Sequence, residues 1–160
     1  MLVNCRMRLF GQQGKSMKRT RRLSEEEKWC AARRKQVRLY VDGQHLKHGR
    51  IGLWPAWHVQ PYLSLWAIES AACPDWVGWW VICGDLPTDY VSALRIKHPR
   101  TALRAFAKRW EKVADCMHRG RKHPTVRIGE RSEWPNLEPL LRARAKLLVK
   151  FADDGEIWKQ

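Results

Sequence analysis

From residue 24 onward the hydrophobic positions of this chain fall into segments of different period. Ser24 and Glu27 are spaced as a capping box, and acidic residues fill the first turn behind the cap. Trp29, Ala32, Val37 and Tyr40 then recur on one side, which predicts a helix from Ser24 to about Val41. Residues 62–68 are apolar almost all round and follow Pro61, which predicts a second helix, central and buried. Residues 77–83 are apolar at both odd and even positions, the mark of a strand covered on both faces. Gly84 to Pro87 breaks that run, and residues 90–93 predict a second strand antiparallel to it.

Beyond His98 and Pro99 the period is plainly helical. Leu103, Phe106, Ala107, Trp110, Val113, Ala114 and Met117 recur at spacings of three and four, so a helix should reach about His118. Residues 125–128, between a proline and a glycine, predict a short strand. Ser132 is the expected cap of a last helix that becomes regular after Pro135 and runs to about Ala152. Its stripe is Leu137, Leu140, Leu141, Arg144, Leu147, Leu148 and Phe151. The expected fold class is α+β: about four helices packed around a small, mainly antiparallel sheet, in a single globular domain over residues 24–160.

Charge changes the picture at the start of the chain. The net charge is +15, and residues 1–23 hold seven Lys/Arg and no acid. This basic leader lacks any periodic apolar face, so it is expected to be disordered or an artefact of start assignment, with Met17 as the alternative initiator. Lys18, Arg19, Arg21 and Arg22, together with Arg33 and Arg34 on the first helix, are candidate phosphate contacts to nucleic acid. No apolar run is long enough to span a bilayer and none resembles a secretory signal, so no membrane partner and a cytoplasmic location are expected. The five cysteines are odd in number and scattered without a CxxC pair, which fits the same compartment.

Candidate chemistry gathers around the run at 77–90. Asp85 and Asp89 follow the buried strand, and Glu69 follows the apolar run before it. The three acids with Trp79, Trp80, Tyr90 and Arg144 form a candidate ligand or partner site. Arg144 interrupts an apolar stripe and is expected either to snorkel or to pair with one of the three acids. Asp85 and Asp89 have an alternative role as turn formers. Cys116, His118 and His123 lack a fourth ligand and metal-site spacing, so surface histidines at a helix end are expected rather than a metal site. The sequence carries no phosphate loop, GxSxG elbow or HExxH pattern. No cofactor, metal or catalytic residue is therefore assigned.

The run at 78–92, with Pro55, Ala56 and Trp57, residues 66–70, residues 97–99, residues 151–154 and Trp158, resembles a family of bacterial proteins of unknown function, DUF4826, over about residues 25–158. That resemblance implies a small cytosolic bacterial protein and brings no catalytic residues. The expected function is binding without catalysis, to a protein partner or a small ligand, with occlusion of a protein partner, as immunity or antitoxin proteins act, as one form of it. Nucleic-acid binding through the leader and the basic helix faces is the alternative, and an enzyme using Asp85 and Asp89 stands third.

Overall fold

The computed structural model describes residues 22–159. The leader contacts Lys18, Arg19 and Arg21 therefore lie outside the described residues. The chain divides between Lys97 and His98 into two compact units.

The first unit opens with helix α1, Glu25–Gly43. Its start is built as the sequence predicts. Ser24 Oγ accepts from the Glu27 N–H at 3.1 Å, and Glu27 returns the bond to the Ser24 N–H at 2.7 Å. Five strands follow: β1 (His48–Ile51), β2 (Trp57–Val59), β3 (Leu63–Ser70), β4 (Val77–Gly84) and β5 (Leu86–Ser92). Every pairing is antiparallel. The sheet order is β1-β3-β4-β5, with β2 also on β3.

The expected helix over residues 62–68 is instead β3, the centre of this sheet. A strand buried on both faces is apolar at every position, as a buried helix is, so periodicity does not separate the two. Length and partners do. Leu65 pairs with Trp57 on one side and with Ile82 on the other, and every residue from Leu63 to Glu69 is buried. Pro61 lies in the β2–β3 turn, where the Tyr62 N–H donates to Val59 O. The short strands β1 and β2 lie where no strand is expected: Gly49 to Gly52 reads as turns, and residues 54–57 as the lead into the expected helix. The strand expected at 90–93 is longer and starts earlier, at Leu86.

One face of the sheet carries Trp66, Ile68, Val81 and Cys83, clustered with Val37 and Val41 of α1 and with Ile51. Polar atoms inside it are paired. Trp66 Nε1 donates to Ser64 Oγ at 2.9 Å, and Ser64 Oγ lies 3.3 Å from Cys83 O. Burial pushes the Cys83 thiol pKa up. The opposite face, with Leu63, Leu65, Trp80 and Ile82, is also fully buried.

The second unit pairs helices α2 (Pro99–His118) and α3 (Trp134–Asp153). The helix count among the described residues is three α-helices rather than four, with two short 3₁₀ turns at Arg131–Glu133 and Glu156–Trp158. His98 caps α2: its Nδ1 accepts from the Arg100 N–H at 3.1 Å. The helices run antiparallel. Arg104 near the start of α2 bonds Asp153 at the end of α3 at 2.8 Å, and Arg142 bonds Asp115 at 2.8 Å. Two expectations on α3 are corrected. Its buried seam is Leu141, Ala145, Leu148 and Ala152, whereas Leu140 is exposed, because small alanines let two helices approach where leucines face out. Ser132 lies within the 3₁₀ turn, and Glu133 takes the cap position. The strand expected at 125–128 is absent among the described residues. That segment is irregular and has no strand beside it to complete a ladder.

Candidate functional site

The expected ligand-site residues of the first unit do not converge on one place. Trp79 and Tyr90 share the α1 face of the sheet, with ring centroids 5.6 Å apart and edge to face, and Trp79 Nε1 donates to Lys47 O at 3.1 Å. Trp80 and Asp89 lie on the other face. Trp80 is fully buried and its Nε1 donates to Ile96 O at 2.8 Å. Asp89 is not in a turn but inside β5 opposite Ile82, buried, with Oδ1 accepting from the Tyr90 N–H at 2.8 Å. Asp85 is exposed at the tip of the β4–β5 hairpin, where its N–H donates to Tyr62 O. Arg144 is half-buried on α3 in the second unit.

Glu69 has a partner that sequence reasoning missed. Arg50, on β1, donates from Nε to Glu69 Oε2 at 3.0 Å and from Nη2 to Oε1 at 2.6 Å. The backbone N–H groups of Arg50 and Asp75 complete the set at 2.7 and 2.8 Å. Arg50 also reaches Asp75 Oδ1 at 2.6 Å. Each carboxylate oxygen of Glu69 thus accepts two hydrogen bonds. The Arg50 guanidinium holds the Glu69 carboxyl at a pKa of about 2, against an ordinary 4.5. This is a structural clamp at the sheet edge. It leaves Glu69 poorly suited to proton transfer near neutral pH.

The two α1 arginines expected to contact nucleic acid, Arg33 and Arg34, have partners within the fold. Arg34 donates from Nε to Gly52 O at 2.8 Å and from Nη2 to Ile51 O at 3.0 Å, tying α1 to the end of β1. Arg33 lies over the Trp29 ring at 5.9 Å, with its Nε buried and without an acceptor among the described residues. Arg22 is exposed.

A different arrangement appears in the second unit. A cavity of about 330 Å³ opens between the end of α2, the loop after it and the start of α3. Its floor is apolar: Val113 and Met117, one turn apart on α2, with Val126, Ile128 and Trp134. Its rim is cationic: Arg121, Lys122, Arg127 and Arg131, beside His123 and a single acid, Glu130. A second cavity of about 370 Å³ shares Met117, Arg131 and Trp134 with it.

The loop that forms the rim is held in shape. Arg131 Nη2 donates to Gly120 O at 2.8 Å, and its guanidinium lies over the Trp134 ring at 6.0 Å. His123 Nδ1 accepts from the N–H groups of Thr125 and Val126 at 3.3 and 3.2 Å, which puts the proton of the neutral ring on Nε2. Gly129 has φ +59°, and a side chain there would collide with Leu137. By contrast Arg121, Lys122 and Arg127 are exposed and form no ion pair with a described residue. The sequence signal for this site was the basic run at 119–122 ahead of Pro124 and Gly129, a charged loop between two helices.

A family model described as a domain of unknown function, DUF4826, matches residues 24–158. The chain belongs to the DUF4826 family. Comparison with curated proteins and with solved structures finds no match. The matched span of this DUF4826 protein includes both the Glu69 clamp and the cavity of the second unit. Among the described residues, no helix is long and apolar enough to cross a membrane, and no group of three or more His, Cys, Asp or Glu is placed to hold a metal ion.

Proposed function

We propose that this DUF4826 protein is a binding protein without catalytic activity, and that it holds a small anionic ligand in the cavity of its second unit. One observation carries the reading. Three cations, Arg121, Lys122 and Arg127, stand around an apolar floor with no carboxylate of the described residues paired to them. Cationic groups held beside a low-dielectric surface attract an anion more strongly than the same groups in open water. The cavity sets placed polar groups around an apolar floor, as small-molecule pockets do but with more charge than most, and about 330 Å³ is at the small end of their range. A bacterial, cytosolic setting is part of the same proposal, and the scattered cysteines support the cytosolic half of it.

Nucleic-acid binding through α1 is the weaker reading, because Arg34 is spent on two backbone carbonyls and Arg33 on Trp29. Calorimetric titration of the full chain with mono- and dicarboxylates and phosphomonoesters tests the proposal. At least one class should bind, and the double variant Lys122→Glu with Arg127→Glu should weaken it by about tenfold or more, as should added salt. Failure of every anion to bind the parent protein, or binding indifferent to the charge reversal, overturns it.

A further inference from the structure

The geometry points to a phosphomonoester carrying a planar heteroaromatic ring, of the nucleoside monophosphate class, as the ligand of the second-unit cavity. This inference rests on the anion-binding reading and names the chemistry of its ligand.

Charge comes first. Arg121, Lys122 and Arg127 have no ion-pair partner among the described residues, and Glu130 is the one acid in the lining. That surplus suits a dianion better than a single carboxylate. The guanidinium fork matches phosphate oxygens two at a time, and a lysine adds a point charge.

The floor sets the body of the ligand. Met117 presents a polarisable thioether and Trp134 an indole, with Val113 from the turn before Met117. Thioether and indole both favour flat aromatic partners over bulky aliphatic ones.

The third requirement is a polar edge. The backbone at Arg127, Ile128 and Gly129 donates no hydrogen bond to a described residue, and all three line the cavity. Arg127 and Gly129 are exposed, so water completes these groups until a ligand takes its place. A heteroaromatic ring has ring nitrogens and exocyclic groups in its plane that bond to backbone groups, whereas a plain hydrocarbon ring has none. Trp134 Nε1, by contrast, is buried without an acceptor among the described residues, so the site holds one more donor whose surroundings a ligand would change.

The test uses the full chain and four probes: adenosine monophosphate, adenosine, inorganic phosphate and benzoate, each titrated by calorimetry. The monophosphate should bind at least tenfold more tightly than adenosine or phosphate alone. In the Lys122→Glu, Arg127→Glu double variant its affinity should fall to that of adenosine. In a uniformly ¹⁵N-labelled sample the indole N–H resonance of Trp134, assigned by its loss in Trp134→Phe, should move on addition of the monophosphate. That readout in the parent protein stays decisive if a variant does not fold. Phosphate binding as tightly as the monophosphate, or an unmoved indole resonance, overturns the ring. Benzoate binding more tightly than the monophosphate overturns the nucleotide class and leaves the anion-binding reading standing. Absence of binding by every anion overturns both.

Discussion

Glu69→Gln removes one charge from the clamp at the edge of the sheet while keeping the size of the side chain. Glu69 is 5% exposed and its carboxylate accepts four hydrogen bonds, two from the Arg50 guanidinium and one each from the backbone N–H groups of Arg50 and Asp75. Glutamine offers one oxygen and turns an N–H₂ group toward donors that need an acceptor. The Arg50 side chain is 57% exposed, so water screens part of the attraction. The fall of the Glu69 pKa from 4.5 to about 2 sets an upper limit of roughly 3 kcal/mol on the charged form's contribution, and screening brings the expected loss to about 2 kcal/mol. The sign follows from the depressed pKa. The contribution is complete above the unfolded-state value of 4.5 and is lost as pH falls toward 2. Urea unfolding of parent and variant, from about pH 7 down to about pH 2.5, measures it. The gap should be widest near neutral pH and close progressively below pH 4.5. A gap that stays constant across this range would show that the variant loses packing rather than charge, and would refute the clamp.

Trp80→Ala should destabilise the protein by about 3–5 kcal/mol, because the ring is wholly buried and its Nε1 is bonded to Ile96 O; a loss below about 1 kcal/mol in chemical denaturation would place the ring at a surface. Gly84→Ala should cost about 3 kcal/mol or more. Gly84 has φ +143°, and a side chain there would press on Tyr62 and Leu63 backbone, so a thermal midpoint within a degree of the parent refutes that account.

The elements most legible in the sequence are those whose burial is one-sided. α2 shows a stripe of apolar residues against Arg100, Arg104, Lys108 and Lys112, and its bounds follow from that contrast and from His98 and Pro99. α1 is legible from its capping box despite a weak stripe, because local hydrogen bonding at Ser24 and Glu27 needs no tertiary context. β3 is the opposite case. Residues 63–68 are buried on all sides, and the sequence shows apolarity without a period. What makes them a strand is β4 beside them, a partner that pairs Leu63 with Gly84 and Ile68 with Trp79, well outside any local window. β1 and β2 hold seven residues together, too few for a period to show, and β1 contains Gly49 and runs into Gly52. Only the free edge of β3 makes them strands.

The candidate sites follow the same physics. A charged residue beside a buried element attracts notice, yet burial is also what obliges it to find an internal partner. Glu69 illustrates this: its position flagged it, and the same position delivers it to Arg50 and two backbone N–H groups. Binding capacity survives instead where charge and backbone are not consumed by folding. Regular helices and strands saturate their own N–H and C=O groups, so an uncommitted set belongs to a loop. Such a loop binds well only if its shape is fixed in advance, since ordering it on binding reduces affinity. The segment after α2 meets both conditions. Arg131 fastens one end to Gly120 and stacks on Trp134 at the other, His123 caps its middle, and Gly129 turns where no side chain fits. Arg121, Lys122 and Arg127 are thereby held outward on a braced frame with their charges unspent. For that reason the second unit, and not the tryptophan-rich sheet, carries the binding proposal.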